Sequence, residues 1–242
     1  GNPVILTGTY TGEPVEVPMQ YLSTLQFMAP ANFSGQFSIA VQAYAVDYDD
    51  DSEGSGTPAT ALSGSATLTN VLIAPVADDV TLTLNARASG NEDSAIPLHI
   101  RPTSSDPSET FNVTIANIPV GATVTYGGVP FTATAGNTSL SIPSFSAATA
   151  LTIQPPLHSN NDFSLAVTAV AVDVLTVDGV THTSESAPRT LNVNVDVKGV
   201  ADPATVTGPG TSAMTAPVYT EADLDGGDTV KLSDLVSVVL QD

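Results

Sequence analysis

Hydrophobic and polar residues alternate along much of this chain, and a period of two is typical of β-strands with one buried face. The clearest runs span residues 163–171 and 191–197. The apolar residues on the predicted faces are Val113, Ile115, Val124, Tyr126, Phe163, Leu165, Val167, Ala169, Ala171, Leu191, Val193, Val195 and Val197. Gly and Pro, 18 of each, separate short strands at the spacing of a β-sandwich. A weak helical pattern at 228–240 ends in a Val-rich segment that is equally compatible with a strand. We therefore predict an all-β fold of sandwich type.

One strand-like segment occurs twice. The segment Phe37–Asp47 returns 126 residues later as Phe163–Asp173, with eight of eleven positions identical. A second pair, Val76-Ala77-Asp78 and Val200-Ala201-Asp202, is 124 residues apart. Solenoid repeats have periods of roughly 20 to 50 residues, so this displacement fits one whole domain per copy. The sequence therefore predicts tandem β domains.

The repeat predicts three segments. Residues 79–202 form a complete repeat, residues 1–78 match only its later two-thirds, and residues 203–242 match only its opening strands. Each end segment would then expose a sheet edge and apolar surface that a complete domain buries. Either the C-terminal segment of one molecule completes the N-terminal segment of another, in head-to-tail self-association, or the first segment forms a smaller sandwich alone and the C-terminal segment is disordered. The sequence leaves both outcomes open.

Charge narrows the class of partner. Asp and Glu total 25 against five Lys and Arg, a formal net charge of −20, which repels the phosphates of nucleic acid and of anionic lipid surfaces. Binding of nucleic acid is therefore not expected. Membrane insertion is not expected either, because no apolar stretch reaches the length of a membrane-spanning helix. Cysteine is absent, so the domains depend on their cores, on metal ions, or on both. Divalent cations are the first partners to consider, because they relieve self-repulsion among carboxylates.

Acidic residues recur at equivalent turns of the copies. The pairs are Asp47 with Asp173, Asp78 and Asp79 with Asp202, and Glu92 with Glu221. Ca²⁺ takes six to eight oxygen ligands, and several loops that meet at one end of a sandwich can supply them. Asp is also common in solvated turns, so the pattern alone does not require an ion.

Two acidic loops add candidate ligands. They contribute Asp47, Asp49, Asp51, Glu53, Asp223 and Asp225. The first loop resembles the start of an EF-hand, but Thr60 occupies the position of the final glutamate and no flanking helix is predicted. It is therefore not an EF-hand, and it is either an ion-binding loop or a flexible one.

Short motifs along the chain resemble a known family. Asn91-Glu-Asp, Asp106-Pro-Ser-Glu-Thr, Asn160-Asn-Asp-Phe-Ser and the Val-Ala-Asp junctions are similar to those of the cadherin-like, Ig-fold extender repeats of giant bacterial adhesins of the repeats-in-toxin type. The resemblance implies tandem Greek-key β-sandwiches in which Ca²⁺ within and between domains stiffens a type I secreted protein at the bacterial cell surface. Its expected role is a spacer that supports cell adhesion or biofilm formation. The ion ligands implied in the complete repeat are Glu92, Asp93, Asp106, Glu109, Asp162, Asp173 and Asp202.

Catalysis is not expected. The chain has no cysteine nucleophile, no Gly-x-Ser-x-Gly motif and no His-Glu-x-x-His motif. The alternative function is Ca²⁺-dependent binding of a sugar or peptide through the loop 47–53 and nearby tyrosines. Either function places Ca²⁺ at the acidic turns.

Overall fold

The computed structural model of the chain describes residues 15–47, 59–201, 205–207 and 237–239. They belong to two compact units, one within Gly1–Pro75 with Leu175–His182 and the other within Val76–Val174 with Thr183–Asp242. Within these described ranges, no helix is long and apolar enough to cross a bilayer.

The described residues are mostly β-strand, which confirms the predicted all-β class. A short 3₁₀ helix spans Met19–Thr24. The strands are β1 (Gly35–Asp47), β2 (Ala59–Ile73), β3 (Thr81–Leu84), β4 (Arg87–Asn91), β5 (Ile96–Pro97), β6 (Ile100–Thr103), β7 (Thr110–Ala116), β8 (Thr123–Tyr126), β9 (Val129–Thr132), β10 (Leu140–Ile142), β11 (Leu151–Gln154), β12 (Phe163–Val177), β13 (Val180–Glu185), β14 (Arg189–Lys198), β15 (Thr205–Thr207) and β16 (Ser237–Val239).

The second unit is built from two main sheets. One has the strand order β10-β7-β12-β14-β4, with β13 paired to β12, and the other has the order β5-β11-β8-β9. The pair β14–β4 is parallel, whereas β12 is antiparallel to both β7 and β14. Strands β3 and β6 form a separate antiparallel ladder.

A single aliphatic core joins the two sheets into a sandwich. Its members with no exposed surface include Val113, Ile115, Val124, Ile153, Leu165, Val167, Ala169 and Ala171. Alternate residues of a strand point to one face, so the period-two pattern of the sequence becomes the buried face of β7, β12 and β14. Aliphatic burial of this kind is the main stabilising term of the unit.

Two tight turns connect neighbouring strands. Gly127 and Gly128 have φ of +58° and +84° between β8 and β9, and Asp178 and Gly179 have φ of +51° and +79° between β12 and β13. Positive φ at both central residues suits a two-residue hairpin, because that backbone twist matches the twist of the strands. Strand β12 is longer than the short strands expected, with 15 residues, since neither Gly nor Pro interrupts it.

The first unit contains the antiparallel pair β1–β2. None of the residues of β1, and none from Thr60 to Ile73 in β2, is buried. The rings of Phe27 and Phe37 lie 4.5 Å apart and pack on each other at the start of β1.

The copied segments pair in the same way in the two units. Phe37 of β1 faces Val71 of β2, and Phe163 of β12 faces Val195 of β14. The partners are displaced by the same 126 and 124 residues as the copies themselves. The pair β1–β2 is therefore the structural counterpart of the pair β12–β14.

The C-terminal strands repeat a second ladder. Thr205 of β15 faces Val239 of β16, as Thr81 of β3 faces Thr103 of β6. Residues 237–239 are thus strand rather than helix, and the rest of the segment 228–240 lies outside the described residues. The limits 1–78, 79–202 and 203–242 of the predicted repeats stay predictions.

Candidate metal centre

Four carboxylate side chains are buried in the second unit. Glu92, Asp106, Glu109 and Asp173 are each 5–7% exposed, and they are the buried polar or charged residues of the described part of the chain. All four belong to the ligands predicted from the sequence. None forms an ion pair with a described Lys, Arg or His. Because a buried charge without an opposite charge is costly, these groups are candidate ligands of a cation.

Asp78, Asp106, Glu109 and Asp173 lie at one end of the β7–β12 ladder, and we call them the first carboxylate cluster. Thr110 of β7 faces Val172 of β12, so Glu109 and Asp173 occupy the next positions along the two neighbouring strands. The Glu109 N–H donates to the carbonyl oxygen of Asp106 at 3.4 Å, which ties the preceding turn to the strand. Residues distant in sequence are thereby brought to one edge of the sheet.

Glu109 has the most informative environment in this cluster. Its Oε1 atom accepts a hydrogen bond from the backbone N–H of Asp78 at 2.6 Å. Its Oε2 atom is buried and has no hydrogen-bond partner among the described residues. A buried unpaired oxygen on a charged group costs about 1–3 kcal/mol or more. The orphaned oxygen is therefore what a bound cation would satisfy.

Serine side chains orient the other carboxylates of the cluster. The Oδ1 atom of Asp106 accepts from the N–H of Ser108 at 2.8 Å and from its hydroxyl at 2.7 Å. The Ser105 hydroxyl donates to Oδ2 of Asp78 at 2.7 Å. The sequence prediction did not include these serines. The Asp-Pro-Ser order was a usable signal for Ser108, because Asp commonly binds the N–H two residues later in a turn.

Glu92 and Asp162 form a second carboxylate cluster around the end of β14. The Val200 N–H donates to Oε1 of Glu92 at 2.6 Å, and the Val197 N–H donates to Oδ1 of Asp162 at 2.8 Å. Asp162 itself is exposed. A Cβ at Gly199 would lie 3.2 Å from Nδ2 of Asn160, so glycine leaves room for that side chain beside Glu92. The cluster thus directs two carboxylates onto the backbone that leads to the junction at 200–202.

Asp93 has a different set of partners. Its Oδ1 atom accepts from the His158 N–H at 2.9 Å, and its Oδ2 atom lies 3.5 Å from Nδ1 of His158. The side chain of Gln154 donates to the carbonyl oxygen of Asp93 at 3.2 Å. These bonds hold two turns together, and a metal role for Asp93 stays a prediction.

The remaining candidates are exposed or lie outside the described residues. Asp47 and Asp79 are exposed. The candidates outside the described residues are Asp49, Asp51, Glu53, Asp202, Glu221, Asp223 and Asp225. Within the described residues, no three side chains of His, Cys, Asp or Glu are grouped closely enough to hold a metal ion. The alternative ligand-binding loop is likewise outside them, apart from Asp47.

The chain matches no protein-family model and no curated protein. The chemistry of the donors is therefore the main guide to the site. Carboxylate, hydroxyl and backbone oxygens are the ligands preferred by hard cations such as Ca²⁺, and the first carboxylate cluster contains these donor types and one unpaired carboxylate oxygen, although its side chains are not grouped closely enough to hold an ion as they stand. The residues present fit such an ion in kind and in charge.

Proposed function

We propose that the chain is a Ca²⁺-stabilised β-sandwich module that acts as a structural spacer. The observation that supports this most is the burial of Glu109 with an unpaired Oε2, in a unit that also buries Asp106 and Asp173. An acid buried without a cationic partner destabilises the apo protein. An ion bound there would convert the same groups into a stabilising contact.

Calcium is the preferred ion because of the donors. The chain has no cysteine, and the first carboxylate cluster contains no histidine, so soft or borderline metals lack their usual ligands. Mg²⁺ demands regular octahedral geometry and gives up its water reluctantly. Ca²⁺ accepts irregular sets of carboxylate and carbonyl oxygens, and Asp78, Asp106, Glu109 and Asp173 would be its protein ligands at this end of the sandwich.

The spacer role rests on the repeat and on the family resemblance. Tandem copies of an antiparallel strand pair suit a protein that needs length rather than a single pocket. We propose that the parent protein is a secreted bacterial surface adhesin, whose ligand would be bound elsewhere. In this proposal Ca²⁺ stiffens each sandwich at the carboxylate clusters.

The test is calorimetry of the whole chain, followed by force spectroscopy. Titration of the EDTA-treated protein with Ca²⁺ should show saturable binding, and the unfolding force of the second unit should rise with Ca²⁺. Equal melting temperatures in EDTA and in millimolar Ca²⁺ would refute the proposal that bound Ca²⁺ stabilises the protein. A glycan and peptide array tests the spacer role separately, since Ca²⁺-dependent hits would favour a ligand-binding segment.

A further inference from the structure

The second unit contains a groove that is separate from both carboxylate clusters. Residues of the β3–β6 ladder and of the segment 147–152 line it, and its volume is about 690 Å³. Pockets that bind small molecules or short peptides commonly have volumes of about 300–1,000 Å³. The N–H of Leu98 donates to the carbonyl oxygen of Leu151 at 2.9 Å, which joins the two parts of the lining. The groove is therefore built on paired backbone.

The ladder places four polar residues side by side on one face. Thr83 of β3 faces Arg101 of β6. The N–H of Asn85 donates to the carbonyl oxygen of His99 at 3.3 Å, so this pair continues the ladder. Ile100 is buried, and its two neighbours along β6 therefore lie on the opposite, exposed face. We call Thr83, Asn85, His99 and Arg101 the donor patch.

The donor patch carries positive charge in a strongly acidic chain. Asp and Glu total 25 in the sequence, yet the described residues that line the groove include Arg101 and His99 and neither Asp nor Glu. The guanidinium of arginine is always charged, and its planar fork of donors matches the two oxygens of a carboxylate. The other three side chains of the patch can each donate a further hydrogen bond. A carboxylate is therefore the group that fits the patch.

The segment 147–152 adds small apolar side chains to the groove. Ala147, Ala148 and Ala150 are exposed residues of its lining. Phe145 also lines the groove, but it is only 6% exposed and stacks on Tyr126 with ring centroids 5.2 Å apart. Its ring is therefore not available to stack on a sugar, whereas the exposed methyl groups suit the aliphatic side chains of a peptide.

We propose that this groove binds an acidic peptide segment of a partner protein. Arg101 would hold a carboxylate of the peptide in a bidentate ion pair, with Thr83 and His99 as further donors, and aliphatic side chains of the peptide would pack on the alanines. Salt at physiological concentration screens exposed charges beyond about 8 Å, so the charges of the groove outweigh the distant acidic residues of the chain. The site needs no Ca²⁺, and it goes beyond the spacer function.

The test uses the full chain and a fluorescent peptide that carries two glutamates between leucines. We expect saturable binding in fluorescence anisotropy, with equal affinity in EDTA and in millimolar Ca²⁺ at a temperature below the melting transition in both buffers. A matched peptide with glutamines in place of the glutamates should bind about tenfold more weakly or less. No saturable binding, equal binding of the two peptides, or loss of binding in EDTA would each overturn the proposal. So would binding of a glucuronate oligosaccharide in place of the peptide.

Charge-removing variants test the role of Arg101. Arg101→Gln should weaken the acidic peptide by about tenfold or more, because the charged hydrogen bonds to the carboxylate are lost. Arg189→Gln makes the same substitution at an exposed position of β14 that does not line the groove, and it should leave the affinity within about twofold. Both residues are exposed, so both variants should keep the circular dichroism spectrum of the parent protein. Equal loss in the two variants would show a general charge effect and refute the site.

A charge-adding pair tests the apolar part of the lining. Ala148→Glu places a like charge in the groove and should also weaken the acidic peptide by about tenfold or more. Ala187→Glu adds the same charge at an exposed residue outside the groove and should change the affinity by less than about twofold. In nuclear magnetic resonance spectra of the parent protein, the peptide should shift the amide signals of residues 83–85 and 99–101. Shifts confined to other strands, or equal effects of the two alanine variants, would overturn the proposal.

Discussion

Replacing Glu109 by Gln distinguishes a carboxylate that holds a cation from one that is only buried. The Oε1 acceptor for the Asp78 N–H, 2.6 Å away, is kept in Glu109→Gln. The variant removes the negative charge and replaces the unpaired Oε2 by an amide group. The stabilisation that Ca²⁺ adds should therefore be smaller in the variant than in the parent protein.

The expected change in unfolding free energy differs between the protein in EDTA and the protein in Ca²⁺. In EDTA the variant loses a buried, uncompensated charge, so it should be as stable as the parent protein or more stable, by up to about 1–3 kcal/mol. In Ca²⁺ at about 1,000 times the dissociation constant, the parent protein gains about 4 kcal/mol from the ion. A hundredfold weaker affinity reduces that gain by about 2.7 kcal/mol. The rise in melting temperature from EDTA to Ca²⁺ should therefore be smaller in the variant by about 8–10 °C.

The assay is differential scanning calorimetry of both proteins in EDTA and in millimolar Ca²⁺. Glu185→Gln is the matched control, because it makes the same substitution at an exposed position of β13 and should change stability by less than about 0.5 kcal/mol in either buffer. An equal rise in melting temperature from EDTA to Ca²⁺ in the variant and in the parent protein would refute the role of Glu109 as an ion ligand.

Three further predictions concern packing and the ion. Gly90→Ala should destabilise the second unit by about 1–3 kcal/mol in urea unfolding, because the new Cβ would lie 2.7 Å from Cγ1 of Ile96. The control Gly136→Ala should be nearly neutral, because its Cβ would have no neighbour within 4 Å. Val167→Ala should cost about 2 kcal/mol through two lost methyl groups and the cavity they leave, and Val41→Ala at the equivalent exposed position should cost less than about 0.5 kcal/mol; equal losses would contradict the difference in burial. Replacing Ca²⁺ by Mg²⁺ at equal concentration should recover less than half of the shift in melting temperature seen in calorimetry, because Mg²⁺ keeps its water.

The fold was predictable where the alternation of apolar and polar residues within one strand shows which face is buried. Alternation identified the inward faces of β7, β12 and β14, since a strand exposes successive residues on opposite sides. Val113, Ile115 and Val195 all proved to be buried. The parallel pairing of β4 with β14 was not predictable, because a strand of mixed composition such as Arg87–Asn91 carries no local signal of its partner.

The candidate site was predictable in part for a related reason. Equivalent acids in the two copies pointed to Asp173, and the resemblance to the extender repeats pointed to Asp106 and Glu109 in the turn before β7. The contact between the N–H of Ala77 and the hydroxyl of Ser184 at 3.0 Å joins residues more than a hundred positions apart, and no local pattern contains it. Burial of the acidic side chains depends on such contacts between residues that are far apart in sequence.

The repeated strand shows why a pattern cannot fix burial by itself. Phe37–Asp47 and Phe163–Asp173 share eight of eleven residues and pair with equivalent partners, yet Val41 is 54% exposed and Val167 is fully buried. The free energy of burying a side chain comes from the surface that its neighbours cover, and β12 has β7 and the opposite sheet as neighbours. The local sequence therefore determines which face of the strand can be buried. Whether that face is buried depends on the strands and sheets that pack around it, as β7 and β14 do around β12.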